Sequence, residues 1–282
     1  MINWIKHFLF TPSPSRKRND IETRFNTLIE NFCETCGDNP SINRPKLLKW
    51  IEQFNSNSYS IPEKVLKELR YYSSSNLSRM TAELVEIVYN EFKCQKKDLF
   101  FVPIGDDGSG SQIIARSLRN NEKVIASNVI NIHKLHLTKS EEAKNKIIVF
   151  LDDFSGTGDT FETWWLMNEP LIYPFNAKLG IALAVLNQKA EIKIRSYIPH
   201  TFYIDYLSDR HNVFNETSEI FDQKEKTKLL EYCSHTGCGQ NYIKGYGECG
   251  LMISFQHGCP NNSIPILWYN RNKWLNLFNR RN

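Results

Sequence analysis

The chain has 282 residues, of which 41% are hydrophobic, 12% aromatic and 23% charged, so it is neither a disordered tail nor a disulfide miniprotein. Thirty-five basic against 31 acidic residues leave a net charge of +4. Beyond the last acid, Glu248, the only Lys, Arg, Asp or Glu residues are Arg271, Lys273, Arg280 and Arg281, and a balanced body with a basic end does not suit a duplex-DNA binder that depends on many phosphate contacts.

The opening MINWIKHFLF is too short to span a bilayer and lacks both a basic leader and a small-residue cleavage site. The expectation is a cytoplasmic protein with no membrane partner. TPSPSRKRND at 11–20 reads as a loop. Helical spacing of Ile21, Phe25, Leu28, Ile29 and Phe32 predicts a helix over 21–36, which GDNPSINRP breaks. Three further helical patterns follow between Lys46 and Phe92, with Ser60 as a candidate N-cap and Pro62 in a first turn. They permit a winged-helix-like unit, but eight basic and six acidic residues over 41–93 are too few net charges for reading DNA. A packing or partner-binding module suits that charge better.

From Asp98 the texture changes. LFFVPIG, KVIASNVI, KIIVFLDD, LGIALAVL and TFYIDYL are short apolar runs that alternate with helical stretches. That alternation predicts an α/β fold with a parallel sheet covered on both faces. GYGECGLMISFQHGCPNNSIPILW reads as a final add-on to the sheet. The expected division is an N-terminal extension at 1–40, a helical module at 41–95 and an α/β domain at 96–282. Seven cysteines in a chain without a leader are expected to be thiols. Cys33 with Cys36, and Cys233 with Cys238 around His235, have suggestive spacing, but a structural zinc needs four converging ligands.

The strongest chemical signal is IIVFLDDFSGTGDT at 147–160. An apolar strand ends in Asp152 and Asp153, and Ser155, Gly156, Thr157, Gly158, Asp159 and Thr160 carry the chain into a helix. Small residues before a helix N-terminus let backbone N–H groups approach a phosphate, and the serine and threonine hydroxyls add donors. The carboxylates would repel that phosphate, so they are assigned to ribose hydroxyls or to a metal through its water shell. An earlier loop, VPIGDDGSGS, leaves a strand in the same manner through Ile104, Gly105, Asp106, Asp107, Gly108, Ser109, Gly110 and Ser111. His133 and His136 read as loop residues, and Trp164 and Trp165 as packing of a helix on the sheet.

The first run resembles the phosphoribosyl-pyrophosphate motif of type I phosphoribosyltransferases, with Asp152, Asp153, Thr157, Gly158 and Thr160 in register. In that family the earlier loop binds pyrophosphate. With KWIEQF, GYG and the Pro260-Asn261-Asn262 turn, the chain over about 45–270 resembles the phosphoribosyltransferase-like effectors of bacterial conflict systems, some of them beside retron reverse transcriptases. The resemblance implies a Rossmann-like domain with a C-terminal hood, Mg2+, phosphoribosyl pyrophosphate or a ribonucleotide as ligand, and a reverse transcriptase–RNA/DNA complex as partner. Asp152 and Asp153 are expected to hold the ribose diol and, through water, a metal, while Asn261 and Asn262 read as turn formers whose paired amides, if they face a pocket, can read a base.

Three departures argue against ordinary base salvage. Gly156 stands where purine-salvage enzymes carry a loop carboxylate, and Asp159 puts a negative charge beside the expected phosphate. Asp106 and Asp107 are welcome near pyrophosphate only with Mg2+. Two readings follow: a magnesium-dependent phosphoribosyl or related N-glycosyl transferase or hydrolase acting as a toxic effector, and a non-catalytic sensor that retains the fold.

Overall fold

The run Ile147–Ser155 is built for a strand buried on both faces, being rich in β-branched and aromatic side chains. A computed structural model describes residues 14–105, 109–137 and 146–281. In it, β2 (Leu99–Pro103), β3 (Ile147–Ser155), β4 (Lys178–Asn187) and β5 (His200–Leu207) form one sheet in that order, all parallel. The predicted α/β class with a parallel sheet is the observed one.

Parallel neighbours need crossovers, and helices supply them. Helices α5 (Gly110–Arg119) and α6 (Ile132–Leu137) lie between β2 and β3 in the chain. Helix α7 (Asp159–Ile172) links β3 to β4, and α8 (Gln188–Arg195) links β4 to β5. One face of the sheet, with Val102, Ile148, Phe150 and Leu183, packs on α6, α7 and α8 through Leu135, Phe161, Trp165 and Ile194. The other face is covered by α5 and by α4 (Ser74–Phe92).

That placement of α4 corrects the expected boundary at 95. Leu77, Met80, Thr81, Leu84, Val85 and Val88 make one buried stripe on α4. At its end, Phe92 comes so near β4 that a Cβ on Gly180 would lie 3.2 Å from the ring. A sheet buried on both faces needs a helix there, so α4 belongs with the strands that follow it. The chain forms two compact units, Tyr72–Thr217 and a second made of 14–71 with Ser218–Arg281.

The second unit is held by aromatic packing and irregular chain. Its helices are α1 (Pro14–Thr35), α2 (Arg44–Ile51), α3 (Ser60–Glu68) and α9 (Gln223–His235). Ile21, Phe25, Ile29 and Phe32 bury one stripe of α1, as the spacing predicts. The indoles of Trp50 and Trp274 both donate to the carbonyl of Ile266, at 3.0 and 3.1 Å. Ser60 begins α3 without serving as its cap, which falls to Tyr59. Strand β1 (Arg70–Tyr72) pairs with β6 (Ile253–Phe255) in a separate two-stranded sheet. The segment expected to extend the main sheet therefore closes this unit, and within the expected extension the described helix α1 buries Ile21, Phe25, Ile29 and Phe32 in its core instead of forming an appendage, while residues 1–13 lie outside the described residues. Residues 41–95 hold a single described strand, β1, so they make no winged hairpin of their own. Among the described residues no helix is long and apolar enough to cross a membrane.

Candidate functional site

The loops after β2 and β3 lie at the carboxyl ends of adjacent parallel strands, where ligands of open α/β sheets bind. Beside them is a cleft of about 1010 Å³ lined by Gly105, Asn131, His133, Thr160, Trp164 and Met167, among others. The cleft thus touches both sequence-predicted loops. Residues 106–108 and 138–145 lie outside the described residues, so Asp106, Asp107 and Gly108 have no assigned place.

After β3 the strand runs further than the sequence suggests. Ser155 pairs with Leu186 as part of the ladder and is buried, so its hydroxyl is not at the loop mouth. Gly156 is buried too, and Thr157 accepts the Asp159 N–H at 3.4 Å through its hydroxyl, which orders the helix entry. Gly158 has φ +81°, a conformation that disfavours side chains, and it is the N-cap of α7. A Cβ there would sit 3.2 Å from both Cβ and Cδ of Lys193 on α8. Asp159 and Thr160 reach the cleft at the first turn of the helix.

Strand geometry separates the paired acids. Side chains on a strand alternate between faces, so neighbours in sequence point apart. Asp152 shares the face of Ile148 and Phe150, the α7 side, and is partly exposed. Asp153 is wholly buried, on the side of Val149 and Leu151. Of the two acids expected to grasp a ribose diol, Asp152 therefore has solvent access at the strand end and Asp153 has none. One oxygen of Asp152 accepts the Asp153 backbone N–H at 2.9 Å, which fixes its carboxylate at the strand end.

The charge of Asp159 is managed by a residue that no motif signals. Lys193 donates to Asp159 at 2.6 Å and to Glu162 at 2.9 Å. The other Glu162 oxygen accepts the Tyr197 hydroxyl at 2.9 Å. Lys193 is held cationic by these two carboxylates, and it pulls the carboxyl pKa of Glu162 below its ordinary value, aided by Tyr197. An ammonium bound in this way offsets the charge that otherwise opposes an anion at this helix end. Thirty-four residues separate Lys193 from Asp159, and only the β3–α7–β4–α8 winding brings them together.

The loop after β2 spends its hydroxyls internally. Ser111 is fully buried and donates to the Ile104 carbonyl at 2.6 Å, while Ser109 and Ser111 share a hydrogen bond at 2.7 Å. Gly105 turns at φ +86° and Gly110 begins α5 in a buried position. The Ser111 hydroxyl is therefore a brace of the turn, which corrects its expected role as a pyrophosphate donor.

Asn261 and Asn262 belong to the other unit. Asn262 is buried and its amide donates to the Tyr246 carbonyl at 3.1 Å, while Tyr246 N–H donates to the Asn261 carbonyl at 2.7 Å. These groups tie down the Gly-Tyr-Gly turn, so the Asn262 amide is not presented to a base. Trp165 packs on Phe150 as expected, whereas Trp164 also lines the cleft. His133 lines it as well, and Asn131 accepts the His133 N–H at 3.0 Å. A polar residue before an apolar helix was the available signal for Asn131.

Among the described residues no three His, Cys, Asp or Glu side chains converge as a metal cluster. The cysteines are thiols, and burial, then Asp38 and Cys33, pushes Cys36 up to about 12. A magnesium ion at the end of β3 would be held by the partly exposed Asp152 carboxylate and by the ligand's own phosphate oxygens.

No curated protein matches the chain. Among solved structures it is similar to a hypothetical protein from Neisseria gonorrhoeae with bound ppGpp, at 18% identity and TM-score 0.31, over 58% of this chain and 97% of that one. It is also similar to the Mycobacterium tuberculosis orotate phosphoribosyltransferase in complex with inorganic phosphate, at 12% identity and TM-score 0.29, over 45% and 70% of the chains. For the HGPRT-ase of Leishmania tarentolae in complex with GMP the values are 14% identity, TM-score 0.32, and 48% and 80% coverage. The profile of the PRTase-CE family matches residues 47–280, which include all of the unit Tyr72–Thr217 and, of the other unit, residues 47–71 and 218–280. With the motif strand, the glycine turn and the parallel sheet in place, the chain belongs to the PRTase-CE family, phosphoribosyltransferase-like proteins.

Proposed function

We propose that the cleft at the ends of β2 and β3 binds phosphoribosyl pyrophosphate or a related ribose-5-phosphate nucleotide with Mg2+. The observation that carries this reading is the turn through Thr157 and Gly158 into α7, next to the partly exposed Asp152 and opening on a cleft. The 5-phosphate meets the first turn of α7, where backbone N–H groups and the Thr160 hydroxyl donate. Asp152 accepts from a ribose hydroxyl and, on departure of pyrophosphate, stabilises the positive charge that grows on the sugar ring. Lys193 keeps the Asp159 carboxylate occupied so that it does not compete for this end of the helix. Asp152 and the pyrophosphate would hold magnesium, which would supply neutralising charge to the leaving group. In the reading implied by the sequence resemblance, this chemistry serves a toxic effector of anti-phage defence, of the retron-associated type.

Burial of Asp153 favours a second reading, in which the fold binds such a ligand without turning it over. Calorimetry with phosphoribosyl pyrophosphate and Mg2+, followed by an assay of pyrophosphate release in cell extract, separates the two. Binding with release supports the enzyme, binding without release the sensor, and absence of binding removes both.

A further inference from the structure

At the C-terminal end of α7, a concavity of about 270 Å³ lies between Trp165, Glu169, Tyr173, Leu179 and Tyr197. We propose that this aromatic pocket binds an alkylammonium head group.

Its floor is rigid. Trp165 is almost wholly buried, edge-on to Phe150 with ring centroids 5.8 Å apart and stacked on Phe161 at 6.1 Å. The Tyr197 ring stands 6.2 Å from that indole at 46°, so two ring planes make an inclined corner. The Tyr197 hydroxyl, bound to Glu162, fixes that ring from its far end. The third ring, Tyr173, is 75% exposed. It opens a turn that Asn176 closes in the left-handed region, φ +46°, by donating its N–H to the Tyr173 carbonyl at 3.2 Å. The backbone thus holds this tyrosine at the pocket wall.

The charge is as specific as the shape. Glu169 follows Trp165 by four residues, so both lie on the same face of α7. Its carboxylate contributes to raising the Tyr197 phenol pKa, after the larger effects of the Glu162 hydrogen bond and of burial. Lys193 is engaged by Asp159 and Glu162. Ring faces carry negative potential, and with one carboxylate beside them they attract a cation and repel a phosphate. Ile172, Ala177 and Leu179 supply apolar contacts for the methyl or methylene groups around the nitrogen. A phosphoribosyl compound is excluded by charge, so this pocket and the cleft take different ligands.

The test uses the full chain and choline, with 3,3-dimethylbutan-1-ol as its uncharged isostere. Choline shifts the Trp165 indole resonance in a saturable titration, and the isostere binds about tenfold more weakly, the size expected of cation–π attraction. Glu169→Gln and Tyr173→Ala each weaken choline binding several-fold while thermal unfolding and phosphoribosyl pyrophosphate binding stay as in the parent. A peptide carrying one trimethyl-lysine distinguishes the source: tighter binding than choline marks a protein side chain, weaker binding a free ammonium compound. Equal binding of the isostere, no shift at millimolar choline, or parental titrations in both variants would overturn the proposal. Because phosphoribosyl pyrophosphate is measured on the same samples, failure here is distinguishable from failure at the cleft.

Discussion

The strand-to-helix loops after β2 and β3 look alike in sequence and differ in what their polar groups do. After β2, the buried Ser111 hydroxyl bonds the Ile104 carbonyl, and Ser109 bonds Ser111. After β3, bracing comes from elsewhere: Gly158 rests on the Lys193 stem, and the Lys193 ammonium occupies the loop's own carboxylate. A loop braced from within uses up the hydroxyls that its sequence advertises. A loop braced by a neighbouring helix keeps its backbone and Thr160 at the surface. Glycine and serine content therefore identifies a tight turn in both cases, but only the partners show which turn can meet a ligand.

The sharpest way to break this contrast is at Gly158. Gly158→Ala forces a side chain into the left-handed region and against Lys193, at a cost of about 1–3 kcal/mol. Thermal unfolding should register that loss together with loss of phosphoribosyl pyrophosphate binding; unchanged stability would mean that the turn is not braced by α8. The two aspartates come next. Asp153→Ala should lower stability by about 1–3 kcal/mol because it empties a buried polar position. Asp152→Asn should spare stability and weaken phosphoribosyl pyrophosphate about tenfold or more, within the range for a hydrogen bond to a charged group. The reverse pattern would restore Asp153 as the ligand residue.

Lys193→Met should weaken the same ligand several-fold, and Asp159→Asn added to it should recover most of the loss. A merely structural lysine would show no such recovery. Ser111→Ala, at the other loop, should cost about 1 kcal/mol in stability and leave affinity unaltered. A fall in affinity would return the Ser111 hydroxyl to the ligand.

The smallest effect concerns pH. Glu162 has a depressed pKa, caused first by Lys193 and then by Tyr197. Any stabilisation from this pairing is present above the ordinary glutamate value of 4.5 and is lost as pH falls through the depressed folded value. The group is half-exposed and screened by solvent, so the change is small, and a carboxyl titration followed by NMR in parent and Lys193→Met should show the Glu162 midpoint move upward.

Much of this was legible along the chain. Continuous apolar runs such as IIVFL and ALAVL specify strands buried on both faces, and alternation with helices specifies the parallel sheet. The turn at Gly158 was legible because few residues other than glycine tolerate its backbone angle. Adjacent acids at 152 and 153 looked equivalent because composition is blind to the face on which each projects. Helix α4 was assigned to the wrong unit for a related reason: an apolar stripe announces that a helix is buried, not what buries it.

By itself, then, the order of residues determined the local elements, the sheet class and the motif's position, because these depend on spacing and backbone preference within short segments. Tertiary structure alone decided that Asp152 and not Asp153 is accessible, that Lys193 neutralises Asp159, and that chain from both ends closes one unit. Those outcomes join residues far apart in the chain or turn on a strand's parity against its neighbours, and no local pattern encodes which distant atom will arrive.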